Sequence, residues 1–202
     1  VETVLAAIAG ALLRLFGWQV AGQMPPDKQL IVIIAPHTSN WDFVIALAWG
    51  FQLRLMRKTA WFGKHSLFAG PWGGLLRRMG GIPIDRSKAH QVVTDTIAAL
   101  RQREEMILAL TPEGTRRHTD HWKSGFYRIA LRTGIPVGFA FVDYEGKRVG
   151  MGPTVRFSGD EEEDWRLIRQ FYRREWARHP QSFGEIHLRQ EAEDEEPVNK
   201  SR

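Results

Sequence analysis

The chain of 202 residues contains no cysteine. A disulfide framework, a thiolate zinc site and a cysteine nucleophile are therefore all excluded. It also lacks an apolar run long enough to span a bilayer, for which a helix needs about 20 apolar residues. The best candidate, VETVLAAIAGALLRLFGW at residues 1–18, is shorter and carries Glu2 and Arg14. Without a basic leading region or a clear cleavage site, it does not read as a signal peptide. No internal repeat and no interdomain linker are visible, so one domain with a substantial core is the simplest organisation. Acids are outnumbered by bases outside the C-terminus. The net charge is +5, yet residues 191–202 hold five acids and two bases, and the remainder carries 26 Lys+Arg against 18 Asp+Glu, about +8. A basic body attracts phosphate, whether on nucleic acid, anionic lipid or a small substrate. No recognised nucleic-acid-binding signature accompanies the charge, so no nucleic-acid partner is expected. The polar segment 191–202 reads as a disordered tail beyond a domain of residues 1–190.

Within that domain, apolar and amphipathic segments alternate. Val1, Val4, Leu5, Ile8, Leu12, Leu15 and Phe16 recur at helical spacing, which predicts an N-terminal amphipathic helix over 1–18. Its apolar stripe either docks on its own domain or lies in a bilayer interface. Residues 30–35, LIVIIA, form a short β-branched run typical of a buried strand. Further strands are predicted at 59–63, 82–85, 105–112, 136–144, 147–157 and 184–190. Helices are predicted from Ser39 or Asn40 to about residue 55, from near Pro71, over 88–103 behind a Ser87 cap, over 123–134 ending at Gly134, and over 160–179. The resulting fold class is α/β: a single layered domain with a mixed, mostly parallel sheet flanked by helices. Most of the eight tryptophans are expected in the core or as ordinary surface residues.

Two loops that follow predicted strands carry titratable groups, and active sites in such folds gather beyond the C-terminal strand ends. The first is PHTSNWD at 36–42. Residues five apart on a regular helix point about 140° away from each other, so His37 and Asp42 cannot meet if the whole stretch is helical. They meet if His37 sits in the turn and the helix starts at Ser39 or Asn40. Asp42 then orients the imidazole, whose other nitrogen serves as a general base. This is the base and orienting acid of a triad without a nucleophile, which a substrate hydroxyl would supply. The second loop is TPEGTRR at 111–117, with Glu113, Gly114, Thr115 and Arg116. Arginine offers a forked donor set suited to phosphate, and Gly114 offers an unobstructed N–H. A third block, GGIPIDRS at 80–87, places Arg86 after a short extended segment. His118 and His121, three apart, lack a third ligand motif, and no metal site is expected.

Taken in order, PHTSNWD, GGIPIDRS, TPEGTRR, KSG at 123–125 and IPV at 135–137 resemble the glycerolipid acyltransferases, especially bacterial 1-acylglycerol-3-phosphate acyltransferases. The resemblance spans roughly residues 30–140. It implies that His37 deprotonates a glycerol hydroxyl, that Asp42 orients His37, and that the hydroxyl attacks an acyl thioester on coenzyme A or acyl carrier protein. It further implies that Arg86 holds the acceptor phosphate, with Lys64 as a second phosphate contact. Glu113, Gly114, Thr115 and Arg116 then shape the acceptor and thioester site. The geometric needs of the reaction, apart from the resemblance, point to main-chain N–H groups near Gly114 and Thr115 for the oxyanion. No cofactor is implied beyond the acyl donor. The implied setting is phospholipid biosynthesis on an anionic membrane surface, at the cytoplasmic face of the inner membrane. Pro36, Arg117, and Pro83 with Ile84 depart from residues usual in that family.

Two rivals remain from the sequence: a basic membrane-binding module without turnover, and a thioester hydrolase in which His37 activates water. The first does not explain the ordered blocks, and the second gives little reason for Arg86 and Arg116. PWGGLLRRMGG at 71–81 joins apolar residues to Arg77 and Arg78. It reads either as an interfacial segment or as an internal helix with two solvated arginines.

Overall fold

The structure, a computed structural model, describes residues 2–85 and 88–187, with Ala89 described by its backbone only. Seven strands form one sheet in the order β1-β7-β6-β2-β5-β3-β4. They are β1 Gln19–Ala21, β2 Gln29–Ala35, β3 Thr59–Lys64, β4 Gly81–Ile84, β5 Met106–Leu110, β6 Val137–Asp143 and β7 Arg148–Val155. Every neighbouring pair is parallel except the β6–β7 hairpin. The predicted α/β class with a mixed, mostly parallel sheet is therefore the observed one.

The helices are α1 Glu2–Leu15, α2 Asn40–Gln52, α3 Gly73–Arg78, α4 Ala89–Arg101, α5 Gly125–Thr133 and α6 Glu161–Phe171. Alternation along β2 explains the layering. Ile31 and Ile33 face a core completed by Val93, Ile97 and Leu100 of α4, Phe126 and Ile129 of α5, and Trp165 and Ile168 of α6. Leu30 and Val32 face the opposite side, against Leu13 of α1 and Ile45 and Trp49 of α2. A strand covered on both faces has no polar side, which is why LIVIIA is continuously apolar. Gly134 ends α5 in the left-handed region at φ 68°, a conformation glycine adopts without a Cβ clash.

Several expectations are corrected. The predicted helix over 160–179 stops at Phe171. Tyr172 turns inward instead, and its hydroxyl donates to the carbonyls of Ile33 at 2.9 Å and Ala140 at 3.1 Å. Beyond it the chain continues in a 3-10 turn at Arg174–Trp176, and Trp176 packs against Phe141 with ring centroids 5.1 Å apart. The segment predicted as a final strand is not one over residues 184–187. It is tied to the preceding loop by two main-chain bonds, Trp122 N to His187 O and Glu185 N to Thr119 O, both 2.9 Å. Residues 188–190, the expected tail 191–202 and the expected Ser87 cap lie outside the described residues. Strand β1 was not anticipated. The helix predicted near Pro71 is present as the short α3, and the 3-10 turn at His65–Phe68 that precedes it was not anticipated.

Helix α1 packs on the domain through a face other than its apolar stripe. Ala6, Ala9, Gly10 and Leu13 form its buried face, packed on α2, and a Cβ at Gly10 would meet Gln52 at 3.3 Å. Val4, Leu5, Ile8, Leu12, Leu15 and Phe16 are exposed. The apolar stripe is thus not docked on its own domain. Among the described residues, no helix is long and apolar enough to cross a membrane. Trp18, Trp49, Trp122 and Trp165 are buried, while Trp41 and Trp72 are exposed. With Trp72 at 70% exposure and Leu75 at 50%, segment 71–81 is not an internal helix.

Candidate functional site

The C-terminal ends of β2, β3, β4, β5 and β6 share one edge of the sheet, as their parallel registers require. The loops after β2 and β5 meet there. Ser39 caps α2 in extended conformation, and a reciprocal capping box links Ser39 and Asp42. This places Asp42 at the third helical position. His37 stays in the turn, as predicted from helical geometry. His37 Nδ1 and Asp42 Oδ2 are 3.5 Å apart, longer than a fully formed hydrogen bond and within range of direct charge interaction. Nε2 is left for other chemistry.

Asp42 is 1% exposed, and its carboxylate is closely held. Oδ2 accepts the N–H groups of Thr38 and Ser39, both at 2.7 Å. Oδ1 accepts the hydroxyl of Tyr144 at 2.7 Å. A buried carboxylate requires such partners, because desolvating a charge without them is costly. Asp42 therefore builds the start of α2 and faces the imidazole at the same time.

Glu113 reaches the site from below. It is fully buried, and its Oε1 accepts the main-chain N–H of His37 at 2.8 Å. Its Oε2 has no partner among the described residues. Burial pushes its carboxyl up to about 7, against the lowering effect of the His37 N–H and with a further rise from the nearby Asp42. Rather than presenting its carboxylate at the surface, Glu113 sets the position of the His37 main chain.

Gly114 adopts φ 64°, which a side chain would strain. Its N–H donates to Thr111 O at 3.1 Å, so the expectation of an unobstructed N–H at Gly114 is corrected: the turn itself uses that donor. Thr115 Oγ1 accepts the N–H of Arg117 at 3.2 Å. Arg116 is exposed and donates to Asn40 Oδ1 at the start of α2, bridging the two loops. Lys64, exposed at the end of β3, lines a cavity of about 420 Å³ with His65, Ser66, Ile84 and Asp85. Arg86 lies outside the described residues, directly after Asp85.

The structure thus brings together His37, Asp42, Glu113 and Arg116, and sets Lys64 at a cavity along the same sheet edge. Sequence reasoning missed Tyr144. Its partner Asp42 stands 102 positions earlier, and no motif spacing links them. Arg178 was also missed; its guanidinium carbon lies 5.8 Å from the ring centroids of both Trp41 and Tyr144. No group of three or more His, Asp or Glu placed to hold a metal ion occurs among the described residues.

A comparison with curated proteins finds no match. A family model described as acyltransferase matches residues 18–138, from β1 to the start of β6, and so covers the His37–Asp42 loop, the Lys64 and Arg86 positions and the Glu113–Arg116 loop. The match extends over more than half of the chain: the protein belongs to the glycerolipid acyltransferase family, and acyl transfer is its general chemistry.

Proposed function

We propose that the protein transfers a fatty acyl group from an acyl thioester, on coenzyme A or acyl carrier protein, to the free hydroxyl of a lysophospholipid, with 1-acylglycerol-3-phosphate as the acceptor. The observation that carries this reading is a buried, fully hydrogen-bonded carboxylate facing a histidine at a strand-end loop, on a chain that belongs to an acyltransferase family. Such a pair supplies a base and its orienting acid, and the acceptor supplies the nucleophile.

In this mechanism His37 Nε2 takes the proton of the acceptor hydroxyl. The oxygen attacks the thioester carbonyl, a C–O bond forms, and negative charge collects on the carbonyl oxygen. The tetrahedral species collapses with cleavage of the C–S bond, and the imidazolium returns its proton to the departing thiolate. Asp42 keeps Nδ1 facing it throughout and steadies the positive charge on the ring. No cofactor beyond the donor takes part. Lys64, Arg86 and Arg116 are the cations assigned to phosphate, and the cavity beside Lys64 is the proposed seat of the acceptor head group.

The setting we propose is an anionic bilayer surface at the cytoplasmic face of the inner membrane. Two exposed features support it: the outward stripe of α1, and Trp72 and Leu75 beside Arg77 and Arg78. Apolar faces flanked by bases favour anionic interfaces. The reading is tested by thiol release from acyl-coenzyme A or acyl carrier protein, with and without lysophosphatidic acid. Acceptor-dependent release is expected. Release that ignores the acceptor would identify a thioester hydrolase.

A further inference from the structure

The carboxylate opposite His37 is completed from outside the family-matched region. Tyr144 follows β6, in the turn to β7, six positions beyond the end of the match at residue 138. Its hydroxyl donates to Asp42 Oδ1 at 2.7 Å, while Oδ2 takes the Thr38 and Ser39 N–H groups and faces His37. The two oxygens thus have separate duties, and the Tyr144 bond restrains rotation of the carboxylate about its Cβ–Cγ bond.

Tyr144 is itself firmly placed. Its N–H donates to Trp176 O at 2.9 Å. Its ring meets Trp18 edge-on, with centroids 5.1 Å apart, and Arg178 stacks over it. The turn that carries it is fixed by buried Asp143, which accepts Gly146 N at 2.9 Å and pairs with Arg148 at 2.7 Å. The segment behind it is tied to the catalytic loop by His179 N, which donates to Thr38 Oγ1 at 3.2 Å. Burial and the contact with Asp42 hold the Tyr144 phenol protonated, well above its usual range, so it remains a donor at any working pH.

We propose that Tyr144 is a positioning residue for acyl transfer: it fixes the Asp42 carboxylate so that Oδ2 faces His37, and it draws negative charge away from that oxygen pair. The charged and titratable groups around Asp42 are His37 on its own loop, Glu113 from the loop after β5, Tyr144 from the β6–β7 turn and, through Tyr144, Arg178. This inference rests on the acyl-transfer reading for its effect on rate, but not for its effect on the imidazole.

The test is Tyr144→Phe, which keeps the ring and its contact with Trp18 and removes only the donor. Circular dichroism and thermal unfolding verify that the variant is folded. Two quantities are then compared with wild type: kcat and KM for both substrates, and the pH midpoint of the His37 imidazole signal by NMR, assigned with His37→Ala. The expected result is a kcat lower by about ten-fold with KM unchanged, since a bond to a charged group is lost. The imidazole midpoint and the acid limb of kcat/KM both move to higher pH, because the carboxylate attracts the imidazolium more strongly once Tyr144 no longer shares its charge. An unchanged midpoint together with an unchanged kcat would overturn the proposal. So would a loss of activity matched by an equal loss of folded protein. If wild type itself shows no acceptor-dependent turnover, the acyl-transfer reading fails, while the movement of the imidazole midpoint still decides the role of Tyr144.

Discussion

The main-chain N–H of His37 donates to Glu113 Oε1 across 2.8 Å, joining two loops whose residues stand 76 positions apart. Glu113 is fully buried, and burial raises its carboxyl to about 7. The sign of the consequence follows from linkage. The folded state favours the protonated form, so the stabilisation is complete below the unfolded value near 4.5 and is lost as pH rises through about 7. Glu113→Gln keeps the acceptor and removes the titration. Between pH 5 and 8 wild type should lose about 2 to 3 kcal/mol relative to Glu113→Gln, since each pH unit between the folded and unfolded titration midpoints corresponds to about 1.4 kcal/mol. Urea unfolding of both proteins at the two pH values measures this directly; parallel pH dependences would contradict it.

Asp42 serves the capping box of α2 and faces His37, and two substitutions separate these duties. Asp42→Asn retains shape and one acceptor oxygen but not the charge. It should remain folded while turnover falls by roughly 10²–10⁴, the usual contribution of an oriented general base. Asp42→Ala should add a loss of about 1 kcal/mol or more in stability, as helix-start substitutions do. Turnover and chemical unfolding of the pair provide the check. Full activity in Asp42→Asn would reduce Asp42 to a helix-start residue.

The outward face of α1 and the Trp72–Arg78 segment predict binding to anionic vesicles. Replacing Arg77 and Arg78 together by Glu should lower the fraction that floats with vesicles containing anionic phospholipid, and replacing Ile8 and Leu12 by Asp should lower it further. Neither change touches the His37 loop, so thiol release with a short, water-soluble acceptor should persist. Unchanged flotation in both variants would remove these surfaces from the account.

Strands β2 to β7 were legible because each short apolar run is bounded by turn residues, and the mostly parallel order followed from alternating helices; β1, three residues long and largely exposed, was not. His37 and Asp42 were legible for a geometric reason: they can meet only if the helix begins between them, and Ser39 supplies that start. What was not legible depends on partners distant in sequence. Tyr172 leaves the predicted helix because Ile33 and Ala140 carbonyls await its hydroxyl, and nothing in the acidic-to-basic pattern of 160–179 announces them. Tyr144 meets Asp42 only once β6 lies beside β2. For α1, periodicity identified the apolar stripe but not which face the domain would cover. Packing selected the smaller face, because Ala6, Ala9 and Gly10 allow α2 to approach closely. The Gly114 N–H was misjudged because a positive-φ turn can satisfy its own donor.

The central claim is that His37 activates the hydroxyl of a lysophospholipid toward an acyl thioester. Mass spectrometry of the lipid product tests it most directly, with an isotopically labelled acyl donor, lysophosphatidic acid, and either wild type or His37→Ala. The account predicts labelled diacylated product from wild type and its loss by at least about 100-fold in His37→Ala, with circular dichroism unchanged. Labelled product formed at equal rates by both proteins would contradict it.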